Sequence, residues 1–172
     1  SLVGSEMCIR DSAQNTPVTN VNNGSLADGA GSSWNTWGSN TYPTTVALTW
    51  DAPYELNGMR VMWWADNGNL QAGGNVTFPK SCEVEYYDHE TSSWKKITAM
   101  TDETGANVSS VGVKYGSADQ ASDQPGNHLN GNNRYWNQVA FDAPVKTTQI
   151  RMNIDRNGYG SNGCLLYTSP SP

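Results

Sequence analysis

The sequence predicts an all-β protein, a sandwich or jelly roll, and three observations lead there. Apolar residues recur with a period of two in segment after segment, while the 3.6-residue period of an amphipathic helix is nearly absent. The alternating segments are short and are separated by Gly, Pro and Asn, the punctuation of sandwiches and jelly rolls. At 172 residues the chain is one domain by length and is long enough to bury a substantial core.

Taken in order, SSWNTWGSNTYP (residues 32–43) is too rich in Ser, Asn and Gly for a core strand and reads as a loop. An indole in such a loop either tucks back under the sheet or stands exposed as a contact surface. TTVALTW (44–50) alternates Val46, Leu48 and Trp50 with Thr45, Ala47 and Thr49, and Asp51-Ala52-Pro53 is expected to end it. LNGMRVMWWAD (56–66) sets Met59, Val61 and Trp63 against Arg60, Met62 and Trp64, two largely apolar faces that suit a strand inside a sandwich. CEVEYYD (82–88) and WKKIT (94–98), joined by HETSS, form a hairpin. SVGVKYG (110–116), NQVAFD (137–142) and TTQIRMNID (147–155) complete the strands, the last with Ile150, Met152 and Ile154 inward. The polar stretch from Gly116 to Asn133 is too long for a tight turn and reads as a long loop.

Composition narrows the function. A net charge of −6, a pI near 4.7 and no cluster of Lys or Arg argue against nucleic acid, whose phosphates demand basic groups. No run approaches the ~20 apolar residues of a spanning helix, so direct membrane insertion is not expected. Cys8, Cys82 and Cys164 lack the spacing of a zinc site or a disulfide framework. Asn75-Val76-Thr77 and Asn107-Val108-Ser109 match glycosylation sequons, a short pattern that matters only in a eukaryotic secretory pathway. Catalysis has no anchor: His89 and His128 lie in polar turns without a nucleophile, and Asp66 and Asp88 occupy positions ordinary for turn carboxylates.

The ends break the pattern. SLVGSEMCIRDS (1–12) and CLLYTSPSP (164–172) shift in composition and resemble translated sequencing-adapter read-through. Residues 13–163 are therefore taken as the domain, with 1–12 as an extension and 164–172 as a tail. Residues 1–12 are expected to be loosely attached and 168–172 disordered, with CLLYT able to slip into an open edge.

With the strands placed, the order of segments resembles a discoidin-type domain, the galactose-binding-like jelly roll of coagulation-factor C domains and many carbohydrate-binding modules of bacterial glycoside hydrolases. The resemblance runs through NNGSLADGAGSSWNTWGS, VALTWDAPYELNGMRVMWW, DNGNLQAGGNVTFPKSCEVEYYDHETSSWKKI and NQVAFDAPVKTTQIRMNI, in the family's order. One departure is plain: after NGYGSNG the family's closing strand, Gly-Ile-x-Glu-Trp-x-Val, is replaced by CLLYTSPSP, so the last strand is expected to be missing and the domain a fragment.

The resemblance implies a non-catalytic module that targets an attached glycoside hydrolase, in the same full-length chain, to its glycan. Secretion or the bacterial cell surface follows. Sugar binding needs flat apolar faces for stacking and planar polar groups for vicinal hydroxyls. Trp34 and Asn35 from the first loop, Trp64, Asp66 and Asn67 from the second, and Asn157 and Tyr159 from the last supply them, for a galactose- or arabinose-like neutral glycan. Trp37 and Trp63, beside strands, are read as core. A structural calcium at Asp28 is implied as well, although Asp28-Gly29 reads equally as a plain turn. The alternative is a structural or protein-adhesion sandwich that packs on its neighbour and binds no sugar; burial of Trp34, Trp64 and Tyr159 would favour it.

Overall fold

A computed structural model describes residues 34–36, 43–64, 76–77, 79–114, 136–155, 161–162 and 164–171; for Trp64, 76–77, 161–162 and 164–171 it describes the backbone alone. Among the described residues nine strands follow one another: β1 (Thr44–Trp64), β2 (Val76–Thr77), β3 (Ser81–Asp88), β4 (Ser93–Lys96), β5 (Met100–Asp102), β6 (Asn107–Val108), β7 (Trp136–Asp155), β8 (Ser161–Asn162) and β9 (Cys164–Ser171). Among the described residues there is no helix, as the period of two requires.

The fold is organised by the antiparallel ribbon of β1 and β7. Its register jumps between Thr49 and Tyr54 and again between Leu56 and Gly58. Each jump carries the same tripeptide: Asp51-Ala52-Pro53 on β1 and Asp142-Ala143-Pro144 on β7. Proline has no N–H to give a ladder and is tolerated at bulges. The expected break at Asp51-Ala52-Pro53 is therefore a bulge within one strand, and segments 44–50 and 56–66 belong to a single β1 through Trp64. Segments 137–142 and 147–155 likewise merge into β7.

The jumps divide the ribbon between two layers. In one, β4 pairs with β3, β3 with the 147–155 half of β7, and that half with the 44–49 half of β1. In the other, β6 pairs with β5, β5 with Val139–Phe141 of β7, that half of β7 with Gly58–Met62, and β1 with β9. Val46, Leu48, Val84, Met152 and Ile154 of the first layer share one buried cluster with Val61, Trp63, Met100, Val139 and Phe141 of the second. Strands that change layer at bulges are how a sandwich turns its corners. Gly58 sits where the ladder resumes, and a Cβ there would lie 2.3 Å from the Val139 carbonyl oxygen.

Three details depart from the sequence reading. Residues 110–114 of SVGVKYG, the part within the described residues, do not form a strand: Val111 alone makes a bridge, to Cys82, and Gly112 faces the Asn137 side chain so closely that a Cβ would sit 2.7 Å from its Oδ1. The short strands β5 and β6 were not apparent in the pattern, being only three and two residues long. At the far end, Thr168–Ser171 pairs with Gly58–Val61, correcting the expected disorder of 168–172 for those residues. The edge of β1 offers unpaired backbone groups, and the tail supplies partners for them.

Candidate functional site

The strand ends that flank the predicted ligand loops gather at one end of the sandwich. In the first layer Cys82, Ile154 and Thr44 lie side by side in register. The Val111 N–H donates to the Cys82 carbonyl at 3.0 Å, and three residues later Lys114 is held by Asn137, the register partner of Val61 in the second layer. Three residues of chain reach at most about 10 Å, the spacing of packed sheets. The ends of β1 and β7 in both layers therefore lie near each other, and the two Asp-Ala-Pro bulges lie at the opposite end. Parallel pairing of Val76 with Ser161 and Thr77 with Asn162 joins the chain after 65–75 to the chain after 156–160.

Residues 111–114 cross between the layers and are fastened on several sides. The Trp63 indole Nε1–H donates to the Gly112 carbonyl at 2.8 Å. Asn137, fully buried, accepts from the Lys114 N–H at 2.8 Å and donates to the Lys114 carbonyl at 2.8 Å. The Lys114 ammonium pairs with Glu103 at 3.1 Å.

The predicted contact residues fare differently. Trp34 is 0% exposed and belongs to the core cluster, and Asn35 is 5% exposed. This corrects their assignment to a contact surface: an indole with no accessible face cannot stack on a sugar, and of the two fates open to a loop indole this one tucks under the sheet. Trp63 is buried, as read. Trp64 ends β1, its side chain lying outside the described residues. Asp66, Asn67, Asn157, Tyr159, Trp37 and Asp28 also lie outside the described residues. Among the described residues no cluster of His, Cys, Asp and Glu could hold a metal ion.

A second polar and aromatic constellation, on the outer face of the first layer, escaped the sequence reading. Glu85, 8% exposed, accepts from Arg151 Nε at 2.5 Å and from Asn153 Nδ2 at 2.8 Å. Burial pushes its carboxyl up, but the Asn153 and Arg151 hydrogen bonds outweigh that and hold it below the usual range. The Arg151 guanidinium lies 4.1 Å above the Trp94 ring, and Tyr87 meets Trp94 and His89 edge-on. The signal was available: the hairpin places Tyr87 opposite Trp94. These groups satisfy one another, so the cluster braces the sheet. Asp88 accepts from Lys95, Thr91 and the Glu90 N–H, and His89 Nε2 lies 2.8 Å from Thr148 Oγ1; both are held in turn contacts rather than in a catalytic pair. Cys82 is fully buried, and burial followed by the nearby Glu83 charge pushes its thiol far up, so it stays protonated and inert.

No protein-family model and no curated protein matches the chain. Solved structures do. A chain of the Streptococcus pneumoniae β-galactosidase BgaA aligns over 100% of this chain and 96% of its own, with TM-score 0.65 and 17% identity. A family 32 carbohydrate-binding module from a family 31 glycoside hydrolase of Clostridium perfringens aligns over 99% and 95%, with TM-score 0.63 and 7% identity. The family 32 module of C. perfringens NanJ, solved in complex with galactose, aligns over 95% and 90%, with TM-score 0.59 and 13% identity. The chain has the galactose-binding-like β-sandwich fold of these modules. The discoidin-type architecture expected from the segment order is thus the one observed, reached at identities where fold outlasts sequence.

Proposed function

We propose that this chain is a non-catalytic carbohydrate-binding module that holds an attached glycoside hydrolase on its glycan, at the bacterial surface or outside the cell. The observation that carries the reading is the gathering of the loop-flanking strand ends at one end of a sandwich with this fold. Weak binding there suffices, because tethering raises the local concentration of substrate around the enzyme. The ligand is a neutral galactose- or arabinose-like glycan, and Trp64, Asp66, Asn67, Asn157 and Tyr159 are the residues assigned to it. Glycan-array screening followed by calorimetry tests this, with Trp64→Ala and Tyr159→Ala expected to abolish binding while the melting temperature holds. Absence of binding to every neutral glycan by the folded domain would overturn it.

One observation favours the second reading, a sandwich that packs on its catalytic neighbour without binding sugar: Trp34, one of the three aromatics assigned to contact, is in the core. A folded domain that binds no glycan, but is stabilised when joined to its neighbouring domain, is the result that reading requires. Calcium at Asp28 is a separate proposal resting on that carboxylate and on the resemblance to discoidin-type domains. A cation bound only by the folded state raises its melting temperature, so calcium and chelator should give different curves and Asp28→Ala should merge them. Coincident curves for the unsubstituted protein leave Asp28-Gly29 as a turn.

A further inference from the structure

The proposed function makes no use of Asn107-Val108-Ser109, a sequon whose geometry is now defined. Asn107 and Val108 form β6, which pairs with β5 through Thr101↔Asn107 and Met100↔Val108 and, among the described residues, has no strand on its other side. Side chains alternate along this edge: Val108 is half-buried and packs on the core, while Asn107 before it and Ser109 after it are exposed. The acceptor amide and the hydroxyl two residues on are thus both open to solvent, and the residue between them anchors the backbone. We propose that Asn107 is an N-glycan acceptor whenever the chain passes through a secretory pathway supplied with a lipid-pyrophosphate-linked oligosaccharide.

The transfer is balanced without any redox partner. The Asn107 Nδ2 attacks C1 of the first sugar, the C1–O bond to the pyrophosphate breaks, the lipid pyrophosphate leaves with the bonding pair, and the amide nitrogen loses a proton. The folded edge accommodates the product because the amide is already in solvent and no core side chain has to move. A glycan there also shields an edge strand, which is otherwise open to pairing with another chain.

The test is secretion of the chain from eukaryotic cells with Asn23→Gln and Asn75→Gln removing the other two sequons, Asn23-Gly24-Ser25 and Asn75-Val76-Thr77. Intact mass should show a glycan that peptide-N-glycosidase removes, converting Asn107 to Asp, and both Asn107→Gln and Ser109→Ala should lose it. The glycosylated and enzymatically stripped proteins should melt together. A secreted, folded chain with unmodified Asn107 overturns the proposal, and so does a glycosylated chain that melts well below the stripped one.

Discussion

Asn137 binds Lys114 as a neighbouring strand would, taking its N–H and giving to its carbonyl, each at 2.8 Å. A side-chain amide carries one acceptor and two donor hydrogens, so it can imitate a peptide unit, and the second hydrogen reaches the Val61 carbonyl at 3.4 Å. This is why 111–114 needs no ladder.

Asn137→Ala should therefore destabilise the domain by about 2 kcal/mol, the order of cost for leaving buried polar backbone groups without partners. Asn137→Asp keeps the acceptor but loses the donor to two carbonyls, and should also be destabilising. Urea unfolding at neutral pH measures both; a midpoint unchanged in Asn137→Ala would show that water replaces the clamp.

Trp34→Ala should behave as a core truncation. Removing a fully buried indole costs about 3–5 kcal/mol, and Trp34→Phe should cost less by filling part of the space. Thermal melts decide it: an unchanged melting temperature in Trp34→Ala would return that indole to the surface. Any glycan affinity lost in this variant should track the fraction unfolded, whereas loss at Trp64 should not.

Gly58→Ala should be poorly tolerated, since its Cβ would meet the Val139 carbonyl oxygen at 2.3 Å and the obstacle is backbone rather than a flexible side chain. Overpacking of this kind costs roughly 1–3 kcal/mol. Gly105, at φ 85° in the β5–β6 turn, has open space around it, so Gly105→Ala is strained by conformation alone and Gly105→Asn should recover much of the loss. Melting curves of the three variants separate steric from conformational cost.

Acid should reach the β3–β4 hairpin late. Hydrogen bonds from Lys95 and Thr91, aided by the Glu90 N–H, pull the Asp88 carboxyl down to about 2. A carboxyl lowered in the folded state contributes stability above its unfolded value of about 3.9, and the contribution disappears as pH falls towards 2. Asp88→Asn should thus lower the melting temperature at pH 6 and match the unsubstituted protein near pH 2. Asp88 is half-buried but its Lys95 partner is exposed, so 0.5 M salt should shrink the difference. A gap independent of pH would assign the effect to the turn's hydrogen bonds rather than to charge.

The sequence by itself determined the class, the inward residues of the main strands and the β3–β4 hairpin. Alternation is a local property: Val46, Leu48 and Trp50, or Ile150, Met152 and Ile154, declare a buried face without reference to any partner. What only the tertiary structure decided depends on who the partner is. Asp51-Ala52-Pro53 reads locally as a stop, yet with Gln149 and Thr147 of β7 pairing on either side of it, it becomes a bulge in a ribbon shared by two layers. SVGVKYG alternates like a strand, but Asn137 and Trp63 take its backbone groups instead. Trp34 sits in a sequence as polar as any exposed loop, and its burial comes from the cavity between the layers, which exists only once β1, β3 and β7 have met. Register and loop placement are set by contacts between residues far apart in the chain, and a pattern of period two carries no record of them.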